Sequence, residues 1–297
     1  MTLRFSNIRT LFVMAGISLN LALFGQAIPS GPLSIPVYHP VVLNPAYAGS
    51  KDFTHITFTT KALKNPYHQM LSAHSRLMNA NGSFSKFGLG GYTFLEQLDQ
   101  SWNTGLSIAG SYHYTLDDSR LHNLSGGAAL KGIFTVPKSS DEAVGDTLST
   151  TFTPNMDLGF YYYGPTAFAG ISVNSLFDQS RRYHLYGGYK FLLNRSLAIV
   201  LEPSLLISFG DSTMGEPTEQ ITPYLKLYMQ NFYVGTYVKS DNLFALFFQY
   251  QFPRFYTGVF LEFPWKGYLN DDNIIFELSV GINLGLEKQK FLQHRHW

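Results

Sequence analysis

The sequence predicts an all-β fold, a transmembrane up-and-down antiparallel β-barrel of about 14 strands that follows a turn-rich N-terminal arm. Three observations predict it. Segments of about ten residues that alternate apolar and polar side chains recur along the chain, separated by turn residues. Aromatic residues make up 16% of the chain and charged residues only 14%, against about 25% charged residues in ordinary soluble domains. The N-terminus has the pattern of an export signal.

The export signal is expected to span residues 1–27. Arg4 and Arg9 supply a positive region, and an apolar stretch follows from Leu11 to Phe24. Gly25 and Ala27 form a small-x-small cleavage site. The alternative is a single membrane anchor, but the apolar stretch is shorter than the roughly 20 residues that cross a bilayer core.

Residues 28–50 are interpreted as an extended arm, either periplasmic or folded into the barrel mouth as a plug. Four prolines lie between Pro29 and Pro40, and because each removes a backbone donor we expect no regular strand or helix there. The turn-rich run Asn44–Ser50 follows, with an aromatic residue at its centre.

The barrel wall is expected over residues 51–286, with a tail at 287–297. In the clearest segment, 101–115, Leu106, Ile108 and Tyr112 alternate with Ser107 and Ser111, because successive side chains of a strand point to opposite faces. The strand candidates lie near 53–62, 67–75, 86–95, 101–115, 122–136, 152–163, 166–176, 183–193, 195–209, 219–229, 231–239, 243–252, 255–263 and 274–286.

Long and short connections tend to alternate along the chain, so that the long ones fall at one end of the strands and the short ones at the other. The connections at 137–151, 210–217 and 264–273 are long, whereas Gly164-Pro165 and Gln230 are tight turns. Long loops at one end and short turns at the other are typical of outer-membrane barrels. An even number of strands then places both termini at the short-turn end, which we expect to face the periplasm.

Charged residues inside the strands are expected to face the lumen. A lipid-facing lysine at mid-bilayer would cost roughly 2–4 kcal/mol. The registers place the following residues away from lipid: Lys131, Asp157, Lys190, Glu202, Lys226, Glu262 and Glu277.

The sequence predicts no enzyme, no cofactor and no metal site. There is no cysteine, and no Gly-x-Ser-x-Gly motif is present. Apart from the terminal His294-Arg295-His296, the nine histidines show no recognisable ligand spacing. Gly88-Leu89-Gly90-Gly91 is interpreted as close packing in the wall and not as a phosphate loop. The formal net charge of +1 argues against a nucleic-acid surface.

The aromatic residues near strand ends are interpreted as interfacial girdles, in which such residues mark the membrane boundary. This group consists of Trp102, Tyr161, Tyr162, Tyr163, Phe232, Phe244, Phe252, Phe255 and Trp265. A sharper alternative is a sugar- or peptide-binding patch in the last long loop, where Trp265 and Tyr268 would be the contact residues.

Three stretches resemble one known family. The first is Leu43-Asn44-Pro45-Ala46-Tyr47-Ala48-Gly49-Ser50. The second is Asp157–Tyr162 with Gly170–Asn174, and the third is Tyr183–Phe191, which contains Gly188-Tyr189-Lys190-Phe191, followed by Leu201-Glu202-Pro203-Ser204. The pattern resembles the PorP/SprF family of outer-membrane proteins, which belong to the type IX secretion and gliding apparatus of Bacteroidota.

The resemblance implies an outer-membrane barrel that is accessory to type IX secretion and gliding. Its partners would be type IX secretion components or a secreted surface adhesin, together with the lipid bilayer. We expect a docking or anchoring role, because a lumen of about fourteen strands that contains Lys, Glu and Tyr side chains is too narrow for a folded protein. The segment Asn44–Ser50 is the candidate partner-binding or plug site. The alternative is a transport barrel for a small hydrophobic or nutrient molecule.

Overall fold

The computed structural model describes residues 34–61, 67–98, 101–118, 121–138, 150–177, 181–211, 217–239, 243–252, 254–264 and 274–285. The predicted signal peptide, the loop residues Trp265 and Tyr268, and the predicted tail at 287–297 lie outside these ranges. No helix among the described residues is long and apolar enough to cross a membrane.

Almost all of the regular structure in the described ranges is β. Two short α-helices and one 3-10 helix come first: α1 (Ile35–Tyr38), α2 (Pro40–Leu43) and the 3-10 helix Pro45–Tyr47. The strand segments are β1 (Phe53–Lys61), β2 (Tyr67–Met78), β3 (Phe84–Gln97), β4 (Ser101–Thr115), β5 (Asn123–Pro137), β6 (Thr151–Tyr163), β7 (Ala167–Asn174), β8 (Arg182–Tyr189), β9 (Phe191–Asn194), β10 (Ile199–Asp211), β11 (Pro217–Met229), β12 (Phe232–Lys239), β13 (Leu243–Gln251), β14 (Phe255–Pro264) and β15 (Ile275–Gly285).

The strands form a closed antiparallel ring. The first strand pairs with the last, from Phe53 opposite Gly285 to Lys61 opposite Glu277. Both β8 and β9 pair with β10, so they are one strand interrupted at Lys190. The fifteen segments therefore occupy fourteen positions in the wall, which confirms the predicted fourteen-stranded barrel. Because β1 pairs with β15, neither the first nor the last strand is left as an open edge of the sheet.

The two faces of the wall differ as the alternation predicted. On β4, Leu106 and Ile108 are 58% and 64% exposed, whereas Ser107 and Ala109 are 1% and 2% exposed. The outer surface is apolar and meets lipid, and the inner surface carries the polar and charged side chains. The charged residues that the sequence assigned to the lumen fit this arrangement, since Lys131 forms an ion pair of 2.7 Å with Asp157.

One predicted strand began too early. The sequence placed the ninth strand at 195–209, but residues 195–198 form a turn and β10 begins at Ile199. The Asn194 side-chain oxygen accepts hydrogen bonds from the backbone N–H groups of Ser196 and Leu197, at 2.9 and 3.1 Å. This local side-chain pattern stabilises a turn in competition with strand pairing.

The prediction that the prolines exclude helix from the arm was wrong. Pro36 and Pro40 lie in the first turns of α1 and α2, and Pro45 begins the 3-10 helix. Proline is accepted there because the first N–H groups of a helix have no partner within the helix. The prolines therefore shape three short turns in succession.

The two ends of the barrel are distinguishable. Gly285 and Phe53 lie at the end that also carries the short connections at 164–166, 195–198 and 230–231. We call this the short-turn end.

Candidate functional site

Residues 34–50, which we call the inner segment, lie inside the lumen. Their contacts are with inward-facing groups of the wall, and Val41, Asn44, Ala46 and Ala48 are buried. The segment reaches β15 through a hydrogen bond of 3.2 Å from Ser34 N–H to the Glu277 carboxylate. The predicted arm therefore crosses the lumen, with its C-terminal part nearer the short-turn end.

Asn44 connects the inner segment to two wall strands. Its side-chain NH₂ donates to the carbonyls of Phe160 on β6 and Ile171 on β7, at 2.8 and 3.3 Å. Its side-chain oxygen accepts from Ala46 N–H at 2.9 Å and caps the 3-10 helix. One amide therefore fixes both the local turn and its position against the wall, because Asn presents donors and an acceptor together.

Backbone carbonyls of the inner segment accept hydrogen bonds from side chains of the wall. The pairs are Asn174 Nδ2 to Val42 O (3.0 Å), Ser172 Oγ to Leu43 O (2.6 Å), Ser125 Oγ to Ala46 O (2.7 Å), Ser111 Oγ to Ala48 O (2.6 Å) and Arg76 Nη1 to Gly49 O (3.1 Å). The wall donors lie on β7, β5, β4 and β2. They satisfy carbonyl groups that helices of one turn leave without partners.

Glycines of the wall allow this close approach. A Cβ atom at Gly127 on β5 would lie 2.5 Å from the backbone nitrogen of Ala46. A Cβ at Gly90 on β3 would lie 3.1 Å from Ala48 Cβ and from Val41 Cγ2. Gly88, Gly159 and Gly258 also face the inner segment, and we call these five residues the glycine cradle. A residue with a side chain at any of these five positions would occupy space that the inner segment fills.

An aromatic core holds the N-terminal part of the inner segment. The Tyr38 ring lies 6.2 Å from the Tyr256 ring and 6.4 Å from the Phe260 ring, and its hydroxyl donates to Phe248 O at 3.3 Å. One buried cluster joins residues of the segment to β10–β14: Tyr38, Leu43, Leu206, Tyr224, Tyr237, Ala245, Phe247, Tyr256 and Phe260. The segment thus packs toward the opposite side of the lumen as well.

His39 is fully buried between the inner segment and two wall strands. Its Nδ1 lies 2.7 Å from Ser72 Oγ on β2 and its Nε2 lies 2.7 Å from Thr59 Oγ1 on β1. A neutral imidazole donates through one nitrogen and accepts through the other, so both contacts suit the uncharged ring. Burial, with the nearby His55 and His68 as smaller causes, lowers the pKa of His39 to about 3.

Docking of the inner segment is therefore expected to weaken as the pH falls below about 6.5, the ordinary pKa of histidine. An undocked His39 would titrate near that value and a docked one only near pH 3, so protons favour the undocked state across this window. The population of the undocked state should rise up to about tenfold per pH unit. Amide hydrogen exchange of residues 34–50, measured in detergent micelles from pH 7.5 to 5, checks it.

The control for this measurement is His39→Gln, which keeps a polar side chain that cannot be protonated. Its exchange level can differ from that of the parent protein, but its pH dependence, corrected for intrinsic exchange chemistry, should be flatter. Equal slopes in the two proteins would show that His39 does not couple protonation to docking.

A charged cluster lies on the wall beside the inner segment. Glu202 on β10 is 2% exposed. Its carboxylate lies 3.1 Å from Lys226 Nζ and 3.9 Å from Lys190 Nζ, and it accepts a hydrogen bond of 3.1 Å from the Tyr228 hydroxyl. These three partners come from β11 and from the interruption between β8 and β9. The carboxylate therefore holds two ammonium groups together in the lumen.

Two of the predicted girdle residues lie in the lumen instead. Tyr161 is 6% exposed, with its ring 5.3 Å from the Tyr47 ring and 5.8 Å from the Tyr186 ring. Tyr163 accepts a hydrogen bond from Arg76 and contacts His113 Nδ1 at 2.9 Å. The prediction counted only their proximity to a strand end, whereas their odd-numbered register on β6 points them inward with Asp157.

The structure brings the predicted run Asn44–Ser50 together with the wall of the lumen, and the second predicted set, Trp265 and Tyr268, is not among the described residues. The glycine cradle and the lumenal tyrosines were missed as contact residues. A usable signal was present, since Gly88 and Gly90 share one face of β3. Among the described residues, no group of three or more His, Cys, Asp or Glu side chains is arranged to hold a metal ion.

Comparison with known proteins identifies the family. The family model described as type IX secretion system membrane protein PorP/SprF matches residues 37–282. The chain belongs to the PorP/SprF family. The matched region contains most of the inner segment and nearly the whole wall of this PorP/SprF protein, which is a membrane barrel of the type IX secretion system.

Solved outer-membrane proteins resemble the PorP/SprF barrel at low sequence identity. CdiB from Acinetobacter baumannii is 10% identical, with 78% of this chain and 59% of that chain covered and a TM-score of 0.44. BamA from Haemophilus ducreyi lacking POTRA domains 1-3 is 11% identical (79% and 70% covered, TM-score 0.42). The KdgM porin is 12% identical (77% and 98% covered, TM-score 0.37). No curated protein matches the sequence.

Proposed function

We propose that this PorP/SprF barrel is a non-enzymatic docking protein of type IX secretion and gliding. It holds a secreted adhesin, or anchors periplasmic machinery, at the short-turn end, and the inner segment is a plug. The observation that carries the proposal is the inner segment, which occupies the lumen and bonds to strands on many sides of it.

As a plug, the inner segment would obstruct passage of a polypeptide through the lumen. A segment that merely rested in the mouth would expose its backbone to water, whereas these carbonyl groups accept hydrogen bonds from Ser111, Ser125 and Ser172. Removing the segment would remove these three hydrogen bonds, although Ser111 and Ser125 would keep contacts to His113 and to the Tyr161 carbonyl in the wall. In a barrel filled in this way, a partner would bind to the rim, and the filled lumen would keep that rim rigid.

The short-turn end is the proposed docking surface. Both ends of the wall sequence, Phe53 and Gly285, lie there, and a chain exported across the inner membrane reaches the outer membrane from the periplasm. The C-terminal part of the plug, Tyr47–Ser50, approaches this end near Arg76. A partner in the periplasm would therefore meet the plug and the short turns together.

The test is affinity purification of the tagged barrel from native outer membranes. The docking function predicts that a type IX secretion component or a secreted adhesin copurifies in stoichiometric amount, and that replacing Asn44–Ser50 with a Gly/Ser linker of equal length reduces this amount. A matched control carries a Gly/Ser replacement of 79–83, a short turn on the same end.

The transport alternative predicts a different result. If the inner segment were a movable hatch for a small hydrophobic or nutrient molecule, its deletion would raise solute uptake by reconstituted liposomes without changing copurification. Purification of the parent barrel with no stoichiometric type IX partner would contradict the docking proposal.

A further inference from the structure

A cavity of about 210 Å³, which we call the vestibule, lies in the lumen between the inner segment and the wall. The inner segment contributes residues between Pro36 and Tyr47, and the wall contributes side chains of β1, β2, β6–β8 and β10–β15. Phe53, Gln251 and Asn283 place the vestibule at the short-turn end. At about 30 Å³ per water, it holds about seven waters, which is enough for one six-membered ring with its substituents.

Aromatic and imidazole rings follow one another along the vestibule in a continuous row from β8 to β14. Successive ring centroids lie 5.8, 5.3, 5.2, 5.4 and 5.5 Å apart. Ring faces of this kind contact apolar groups of a ligand, while the polar atoms of the same rings form hydrogen bonds. We call the six rings the aromatic arc: Tyr186, Tyr161, Tyr47, His74, His55 and Tyr256.

Two members of the aromatic arc have buried polar atoms without a partner. His74 is 3% exposed, and its Nδ1 has no hydrogen-bond partner among the described residues. The neighbouring His55 differs, since both of its ring nitrogens have partners, at 2.6 and 2.8 Å. The Tyr186 hydroxyl approaches Asn44 but has no hydrogen bond of good geometry within the described ranges. Because buried polar atoms are normally paired, a ligand that carries donors and acceptors would be stabilised at His74 and Tyr186.

The charged groups around the vestibule are already engaged within the protein. The Glu202 carboxylate lies 3.1 Å from Lys226 Nζ and 3.9 Å from Lys190 Nζ. Lys51 also lines the vestibule, next to Asp52 in the chain, and both residues have interaction partners. A charged ligand would compete for these contacts, whereas an uncharged ligand leaves them intact.

We propose that the vestibule binds a neutral sugar ring, with one ring face against the aromatic arc and hydroxyl groups bonded to His74 and Tyr186. A pyranose whose hydroxyls are equatorial has two apolar faces of C–H groups and a polar rim, so one molecule makes both kinds of contact. A purely aromatic group makes only the first kind. The ring belongs either to a free saccharide or to the end of a glycan chain, and neither source rests on the proposed docking function.

The test titrates methyl β-D-glucoside into the purified barrel by calorimetry, in lauryldimethylamine oxide micelles because this detergent has no sugar head group. A ligand of this size should bind with a dissociation constant of about 1 mM. Phenol should bind about tenfold more weakly because it lacks the rim of hydroxyls. Methyl β-D-glucuronide, which carries a carboxylate, should bind no more tightly than the glucoside. Phenol binding as tight as that of the glucoside, or tighter binding of the glucuronide, overturns the proposal.

His74→Phe keeps a ring in the aromatic arc but removes the hydrogen bond. It should weaken binding of the glucoside about tenfold and leave binding of phenol unchanged. His68→Phe is the matched control, since His68 is also a histidine of β2 that is 3% exposed, with no Nδ1 partner among the described residues, but it does not line the vestibule. Equal weakening by the two substitutions overturns the proposal. If His74→Phe does not fold, the comparison of the glucoside with phenol on the parent barrel still decides.

Methyl β-cellobioside, which has a second sugar ring, distinguishes the two sources. Binding at least as tight as that of the glucoside supports the end of a glycan chain, and binding of the glucoside alone supports a free saccharide. Failure of the glucoside to bind overturns the proposal. That outcome would not affect copurification of a type IX partner, so it is separable from failure of the docking function.

Discussion

Gly127→Leu is expected to displace the inner segment and convert a closed barrel into one that conducts ions. A Cβ atom at this position would lie 2.5 and 2.6 Å from the N and Cα atoms of Ala46. Both are backbone atoms that cannot rotate away, and leucine adds three further carbons. Overpacking of this kind costs typically 1–3 kcal/mol, and here the strain is relieved by moving the segment. Stable current steps in a planar bilayer are the measurement.

Gly110→Leu is the matched control. Gly110 lies on the lipid-facing side of β4, and a Cβ atom there would meet no atom within 4 Å, so the same substitution should leave the barrel closed. Combining Gly127→Leu with Gly159→Leu should increase the open fraction, because Gly159 packs against Asn44. A parent barrel that already shows large stable currents would contradict the assignment of the inner segment as a plug.

Of the single substitutions proposed, Glu202→Gln is expected to lower the free energy of unfolding of the barrel the most. The carboxylate is 2% exposed and is the partner of two lysines. Its removal leaves two ammonium groups close together, and loss of one member of a buried ion pair costs about 3–5 kcal/mol. We expect about 3 kcal/mol, measured as the free energy of unfolding in urea with the barrel in lipid.

The control removes the charges together. The triple variant Lys190→Met, Glu202→Leu, Lys226→Met retains apolar volume without charge, and replacement of buried ion pairs by apolar residues is often neutral or stabilising. We therefore expect it to be more stable than Glu202→Gln alone. A triple variant as unstable as the single one would show that the cluster acts through side-chain packing and not through charge.

The wall of the barrel was predictable from local patterns because each strand shows its own alternation of apolar and polar residues in the sequence. Alternation fixes which side chains face lipid, so β4 was predicted at its true bounds, 101–115. Fourteen wall positions follow from counting such segments. The Ile199 boundary was missed because Asn194 forms a turn through its side chain, a signal that alternation does not contain.

The position of the inner segment was not predictable in the same way. Asn44 and Ala46 bond to residues more than seventy positions later in the chain, and no local pattern encodes such pairs. Gly88 and Gly90 were correctly interpreted as sites of close packing, but the object packed against them was not identified. Tyr161 and Tyr163 were misplaced because their distance from a strand end was weighed above their register.

The seam between β1 and β15 has a consequence for biogenesis. The inner segment, residues 34–50, precedes Phe53 in the chain, yet the strand that begins at Phe53 pairs with the last strand, at Gly285. The inner segment is therefore synthesised before the wall, and β15, whose Glu277 accepts a hydrogen bond from Ser34 N–H, is synthesised last. If successive β-hairpins assemble around the inner segment, pairing of β1 with β15 can close the barrel in one late step. The inner segment then does not have to be threaded into a barrel that has already closed. The inner segment would then act as a template that sets the diameter of the barrel as the strands assemble around it.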